Sequence, residues 1–251
     1  MAVRLPETVL HDAFDLAVDG ITLIAGPSFS KSTLLREAAA YCAFSVAAEY
    51  RIVELHAGTL ADAPNLLGGI GLIEPYVKTE PSPKTREVID MLDPICRGRL
   101  GYDFGRLVFF PSSGSAGPIP YAEVPYGKRI GLAITELLSR CLLSEGDLLV
   151  IDHPEDGLHP TLQVPLAASL VRLYRNLGVR TLIATDSPFT TAALETHAKR
   201  DGVSDVLKCI NAENEENGRM RLADVSERIG IIYDGYASAY QTIEDPAIAS
   251  D

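Results

Sequence analysis

Residues 21–35, ITLIAGPSFSKSTLL, constrain the fold more than any other stretch. Five residues, Ile21 to Ala25, predict a buried strand; Gly26 breaks it, and Lys31-Ser32-Thr33 open a helix expected to start at Ser32. A strand that turns through glycine straight into a helix brings free helix N–H groups and a lysine to one point, where they attract phosphate. The phosphate-binding loop pattern is Gly, four residues, then Gly-Lys-Ser/Thr. Here only Pro27, Ser28, Phe29 and Ser30 separate Gly26 from Lys31. The loop is one residue short, and Ser30 stands where the second glycine belongs.

The 251 residues, 47% hydrophobic, suit one large domain with a subsidiary lobe. No segment reaches the ~18 apolar residues of a membrane span. The first residues, MAVRLPETVLHDAFDL, mix acids with apolar residues and lack the core of a signal peptide. Cys42, Cys96, Cys141 and Cys209 are scattered without metal-type spacing, which predicts reduced thiols in a cytoplasm. A net charge of -12 argues against broad adhesion to nucleic acid. Residues 211–251 carry nine acids against three arginines, half of that net charge. Arg97, Arg99 and Arg106 form a candidate basic patch, but Asp93 and Asp103 dilute it and a solvated face is the preferred account.

Apolar runs alternate with longer helical patterns. Strands are predicted at Ile21–Ala25, Arg51–Leu55, Leu107–Phe110, Asp147–Ile151 and Thr181–Thr185. Helices are predicted to begin at Ser32, near Lys84, at Lys128, at Pro160 and near Pro188. This alternation predicts an α/β sheet with helices on both faces. Residues 57–105 are less periodic and predict a small, partly helical inserted lobe. With the Ser/Gly/Pro loop at 111–120, that lobe occupies roughly 57–128 of a single domain spanning 1–251. Asn211–Gly218 predicts a loop between short strands Val206–Ile210 and Arg219–Val225.

A second segment, DLLVIDHPEDGLHPTLQ (147–163), ends an apolar strand in Asp152, the pattern of an aspartate that holds Mg²⁺. Pro154-Glu155 and then Leu158-His159-Pro160 follow. TLIATDSPF (181–189) and VPYGKRIGLAITELL (124–138) complete the set. Together with the shortened loop, these motifs resemble the ABC-type P-loop ATPase domains of the SMC, RecF and OLD-like group, in order and spacing, over residues 21–189. The resemblance implies the ABC ATPase-type fold, with ATP and Mg²⁺ as ligands. Gly26, Ser30, Lys31, Ser32 and Thr33 would hold nucleotide, Ser32 and Asp152 the metal. Gly127, in the signature helix start, would face a partner's nucleotide.

Each chemical position departs from the group's pattern. The catalytic glutamate after Asp152 is His153, the switch histidine is Asp186, and the signature serine is Pro125, which has no donor. Gly127, Lys128 and Arg129 are kept. Glutamate has become histidine and histidine aspartate, at the carboxyl ends of neighbouring strands. One reading is a swapped acid/base pair, His153 with Asp186. The other, preferred here, is independent decay: an aspartate ~5 Å from a γ-phosphate would repel it by roughly 3 kcal/mol at an effective dielectric of 20. His159 is expected to start a helix. Glu155 is expected at a dimer interface, in a metal's outer shell, or simply solvated.

The resemblance implies a cytoplasmic ATP-binding subunit of a DNA-repair or defence-type complex, weak or inactive in hydrolysis. Its partner would be a second subunit or a second copy, with DNA reached only through that subunit and no membrane. The alternative is a pseudo-ATPase, a structural interaction module without nucleotide.

Overall fold

The chain begins with a hairpin of β1 (Ala2–Leu5) and β2 (Phe14–Ala17), paired antiparallel. The sequence reading missed both strands; each is only four residues long. A computed structural model describes residues 2–28, 30–45, 51–61, 80–104, 106–114 and 117–244. β3 (Ile21–Ala25) is buried at every position, as its apolar run requires, and leads into α1 (Lys31–Ser45). β4 (Ile52–Leu55), α2 (Ala57–Ala61) and α3 (Pro83–Cys96) follow. Residues 62–79 of the expected lobe lie outside the described residues. α3 starts on Ser82, whose hydroxyl caps Thr85 N, and buries Val88, Leu92, Ile95 and Cys96.

β5 (Gly98–Asp103), β6 (Arg106–Pro111) and β7 (Ile119–Pro120) form a separate antiparallel sheet. The strand expected at Leu107–Phe110 is therefore β6 and stands outside the main sheet. Only residues 104 and 105 separate it from β5, a hairpin connection too short for a parallel crossover. α4 (Tyr126–Ser139) starts two residues before the expected Lys128. Then come β8 (Leu148–Asp152), α5 (Pro160–Leu177), β9 (Arg180–Ala184) and α6 (Pro188–Arg200). β10 (Leu207–Asn214) runs into the segment expected to be loop, and β11 (Met220–Asp224) and α7 (Gly230–Glu244) complete the described chain.

The main sheet has the order β11-β10-β3-β9-β8-β4, with every pair parallel except β10–β11. Alternate residues face opposite sides. On one side Ile24, Val150 and Leu182 pack against α1 and the β1–β2 hairpin; on the other Leu23, Leu149 and Ile183 pack against the remaining helices. This is the expected α/β class. Because β9 lies between β3 and β8, the chain leaving β9 is flanked by the loop after β3 and the turn after β8. That topology places the site.

Asp147, just before β8, ties the far edge of the sheet together. Its buried carboxylate accepts from Ser144 N (2.9 Å), Ser144 Oγ (3.0 Å), Arg51 N (3.1 Å) and the Arg51 guanidinium (3.1 Å). Burial opposes its ionisation, but these donors outweigh burial and hold its pKa below the usual carboxylate range. Asp147→Ala is expected to cost about 2–3 kcal/mol, the scale of one or two charge-assisted hydrogen bonds, read as a lowered urea midpoint.

Candidate functional site

The loop between β3 and α1 leans on β10. Gly26 has φ +109°, and a Cβ there would lie 2.5 Å from Asn211 Oδ1 and 2.6 Å from Ala212 O, so no other residue fits without a shift. Ser28 N donates to Ala212 O (3.2 Å), Asn214 Nδ2 to Pro27 O (3.3 Å) and Ser30 N to Ser28 Oγ (3.2 Å). The amides of Ser28 and Ser30 are thus both bonded within the chain. Ser30 O accepts from Thr33 N and Leu34 N, both at 3.0 Å, while Thr33 itself is exposed. Phe29 lies outside the described residues.

Lys31 is 2% exposed. Its ammonium donates to Gly26 O and Ser28 O, each at 2.6 Å, and meets Asp186 Oδ1 at 2.6 Å. An ammonium has three protons, and three oxygens take them. Gly26 O and Ser28 O take two of the lysine's protons, and Asp186 caps it from the exit of β9.

Next to this, Ser32 Oγ donates to Asp152 Oδ1 at 2.9 Å. A hydroxyl in the first turn of α1 and a carboxylate at the end of β8 are the hard oxygen donors Mg²⁺ takes, so these two residues fit that ion. His153 follows with φ +47°, a left-handed conformation, and its N–H donates to Ala184 O (2.9 Å). The imidazole lies among acids: Nδ1 is 3.4 Å from Asp186 Oδ2 and 3.6 Å from Glu155 Oε1, and Nε2 is 3.7 Å from Asp152 Oδ1. His153 and Asp186 are therefore brought together, as the sequence reading considered, although Asp186 spends its other oxygen on Lys31.

Glu155 is not solvated: it is 8% exposed, and Oε1 accepts from Thr185 Oγ1 and Asp186 N, both at 2.7 Å. It fixes the turn that carries Asp186. Ser187 caps α6 through Thr190 N (3.2 Å) with Pro188 next, and Gln163 accepts from Ser187 Oγ (2.5 Å). His159 caps α5 through Thr161 N at 3.3 Å, the helix-starting role expected of it.

Gly127 packs against the turn after β8. Its N–H donates to Asp156 O (2.7 Å), and a Cβ would fall 2.4 Å from Pro154 O and 2.7 Å from Leu158 Cγ. Close packing inside this chain thus accounts for the glycine. Tyr126 Oη donates to Asp152 O (2.9 Å), which ties the start of α4 to the end of β8. Lys128 lies over the Phe109 ring at 4.0 Å. Thr185, Tyr126, Asn211 and Asn214 escaped the sequence reading; each acts through a neighbour distant in the chain.

The Glu155 carboxylate, followed by Asp186 and Asp152, raises the His153 pKa against the opposing effect of burial. A raised pKa contributes stability that is full below the unfolded value, near 6.5, and is lost as pH rises through the folded one. Melts from pH 6 to 8.5 are therefore expected to show a decline with pH in the native protein that His153→Gln removes. An unchanged slope in the variant would contradict the assignment.

A protein-family profile described as "AAA domain, putative AbiEii toxin, Type IV TA system" matches residues 22–192. No curated protein matches the chain. Among solved structures, the SMC head domain from Thermotoga maritima is similar at 10% identity and TM-score 0.49, covering 89% of this chain and 97% of that one. CbiO1 from Clostridium perfringens, part of an ABC transporter complex, is similar at 13% identity and TM-score 0.49, covering 98% and 94%.

Proposed function

Because the chain belongs to this AAA-domain family, with an ABC- and SMC-like P-loop ATPase fold, we propose that it is an ATP-binding head whose phosphate loop is held shut by its own side chains. ATP binds weakly and is hydrolysed slowly or not at all. The observation that carries the reading is the Lys31 ammonium, its three protons taken by Gly26 O, Ser28 O and Asp186. Nucleotide must displace Asp186 and reopen the loop before Lys31 can reach a phosphate. Gly26, Ser30, Lys31, Ser32 and Thr33 would line the phosphates, and Ser32 and Asp152 would hold Mg²⁺, which supplies charge neutralisation there.

With His153 in place of the water-orienting glutamate, the preferred account is a decayed site; the close approach of His153 to Asp186 favours the swapped pair as the second reading. The head works in a dimer or with a second subunit in a DNA-repair or defence-type complex of the cytoplasm, touching DNA only through that subunit. Its partner-facing segments are Gly127–Arg129 and Asp156–Pro160. Among the described residues no helix is long and apolar enough to cross a membrane. The whole of 1–251 acts as one domain, with 57–128 as its smaller lobe. A pure interaction module without nucleotide is the competing function.

Sedimentation with and without Mg-ATP tests the assembly. A dimer or a stable heteromeric complex is expected, weakened by charge reversal at Arg129. A chain monomeric at high concentration in both conditions, and purified without any stoichiometric partner, would count against it.

A further inference from the structure

The turn after β8 gathers a second set of possible metal ligands beside the Ser32–Asp152 pair. His153, Glu155 and Asp156 each offer one ligand atom, and these atoms all lie within 4.8 Å of one another. His153 Nδ1 and Glu155 Oε1 are 3.6 Å apart. That is too long for a hydrogen bond. It is close to the roughly 3.4 Å between two ligands held about 2.1 Å from a tetrahedral metal.

Glu155 supplies an independent observation. It is 8% exposed; Oε1 accepts from Thr185 Oγ1 and Asp186 N, and the other oxygen, Oε2, is buried with no hydrogen-bond partner among the described residues. Buried carboxylate oxygens are ordinarily met by donors or cations. Asp152 and Asp186 stand at 3.7 and 3.4 Å from the same imidazole and add negative charge around it. Asp156 is exposed and leaves the cluster open to an ion from solvent.

We infer that His153, Glu155 and Asp156 form a binding site for a transition-metal dication, Mn²⁺ or Zn²⁺, separate from the Ser32–Asp152 pair and independent of nucleotide. One imidazole with two carboxylates is a nitrogen-containing set that suits these ions, whereas Mg²⁺ and Ca²⁺ favour oxygen alone. The imidazole binds in its neutral form, so uptake releases a proton to solvent whenever His153 is charged.

The test uses the full chain without nucleotide. Mn²⁺ alone is titrated and followed by electron paramagnetic resonance, and Zn²⁺ alone by calorimetry. One saturable ion per chain is expected, with a nitrogen coupling from imidazole in the Mn²⁺ spectrum. His153→Gln is expected to abolish that coupling, and Asp156→Asn to weaken binding about tenfold or more. Ser32→Ala, which removes a ligand of the other pair, is expected to leave it unchanged. If His153→Gln does not fold by circular dichroism, the nitrogen coupling in the native chain and the exposed Asp156→Asn decide. Absent saturable uptake, absent nitrogen coupling, or binding lost in Ser32→Ala and kept in His153→Gln would overturn the inference.

Discussion

Asp186→Asn is expected to tighten Mg-ATP binding about tenfold or more. In the native protein the Asp186 carboxylate holds the Lys31 ammonium at 2.6 Å, and on the proposed reading nucleotide would compete for the same cation while approaching the same negative charge. At ~5 Å and an effective dielectric of 20, a unit charge repels a γ-phosphate charge by roughly 3 kcal/mol. Asp186 is 63% exposed, so solvent screening reduces that figure. Half of it is roughly 1.5 kcal/mol, slightly more than the ~1.4 kcal/mol that makes a factor of ten. Asparagine keeps the size of the side chain, and the Glu155 contact to Asp186 N is made by the backbone, so the turn should persist. Calorimetry on the two proteins decides it. Equal affinities would show that the Asp186–Lys31 contact does not gate the loop.

The second large effect concerns turnover. The native chain is expected to hydrolyse ATP barely above background. His153→Glu together with Asp186→His puts back the residue types of the ABC pattern. A positioned general base contributes ~10²–10⁴ in rate. The double variant is therefore expected to release phosphate about a hundredfold faster than the native chain, even with Pro125 unable to donate from the signature helix. Robust native turnover that falls in the double variant, and disappears in Lys31→Ala, would instead establish the swapped pair. The 3.4 Å separation of His153 Nδ1 and Asp186 Oδ2 makes that a concrete rival.

The frame of the site was legible because its signals are local. A run of apolar residues before Gly26, a lysine and hydroxyls after it, and an apolar strand ending in Asp152 each specify a strand and its exit. The Leu-His-Pro and Ser-Pro turns are readable for the same reason, since Ser187 and Pro188 cap and start a helix with their own atoms. The electrostatics were not legible. Nothing near Lys31 in the chain announces that Asp186, 155 residues on, takes its third proton, or that β10 absorbs the Ser28 amide. Glu155 was the least readable residue. Its burial depends on β9 lying beside β8, a fact of sheet order, so a sequence read one strand at a time leaves interface, metal shell and solvent equally open for it. Strand Leu107–Phe110 was legible as a strand, but its place in a separate sheet was not, because local pattern does not distinguish a hairpin strand from a crossover strand.

The most direct measurement is the melting temperature of the native protein against Mg-ATP concentration. A ligand at 100 times its dissociation constant stabilises by ~2.7 kcal/mol. A loop closed on its own lysine predicts a rise that is saturable but needs millimolar nucleotide, is absent in Lys31→Ala, and shifts to lower concentration in Asp186→Asn. A full rise already at low micromolar Mg-ATP, or none at any concentration in either native or Asp186→Asn protein, would contradict it.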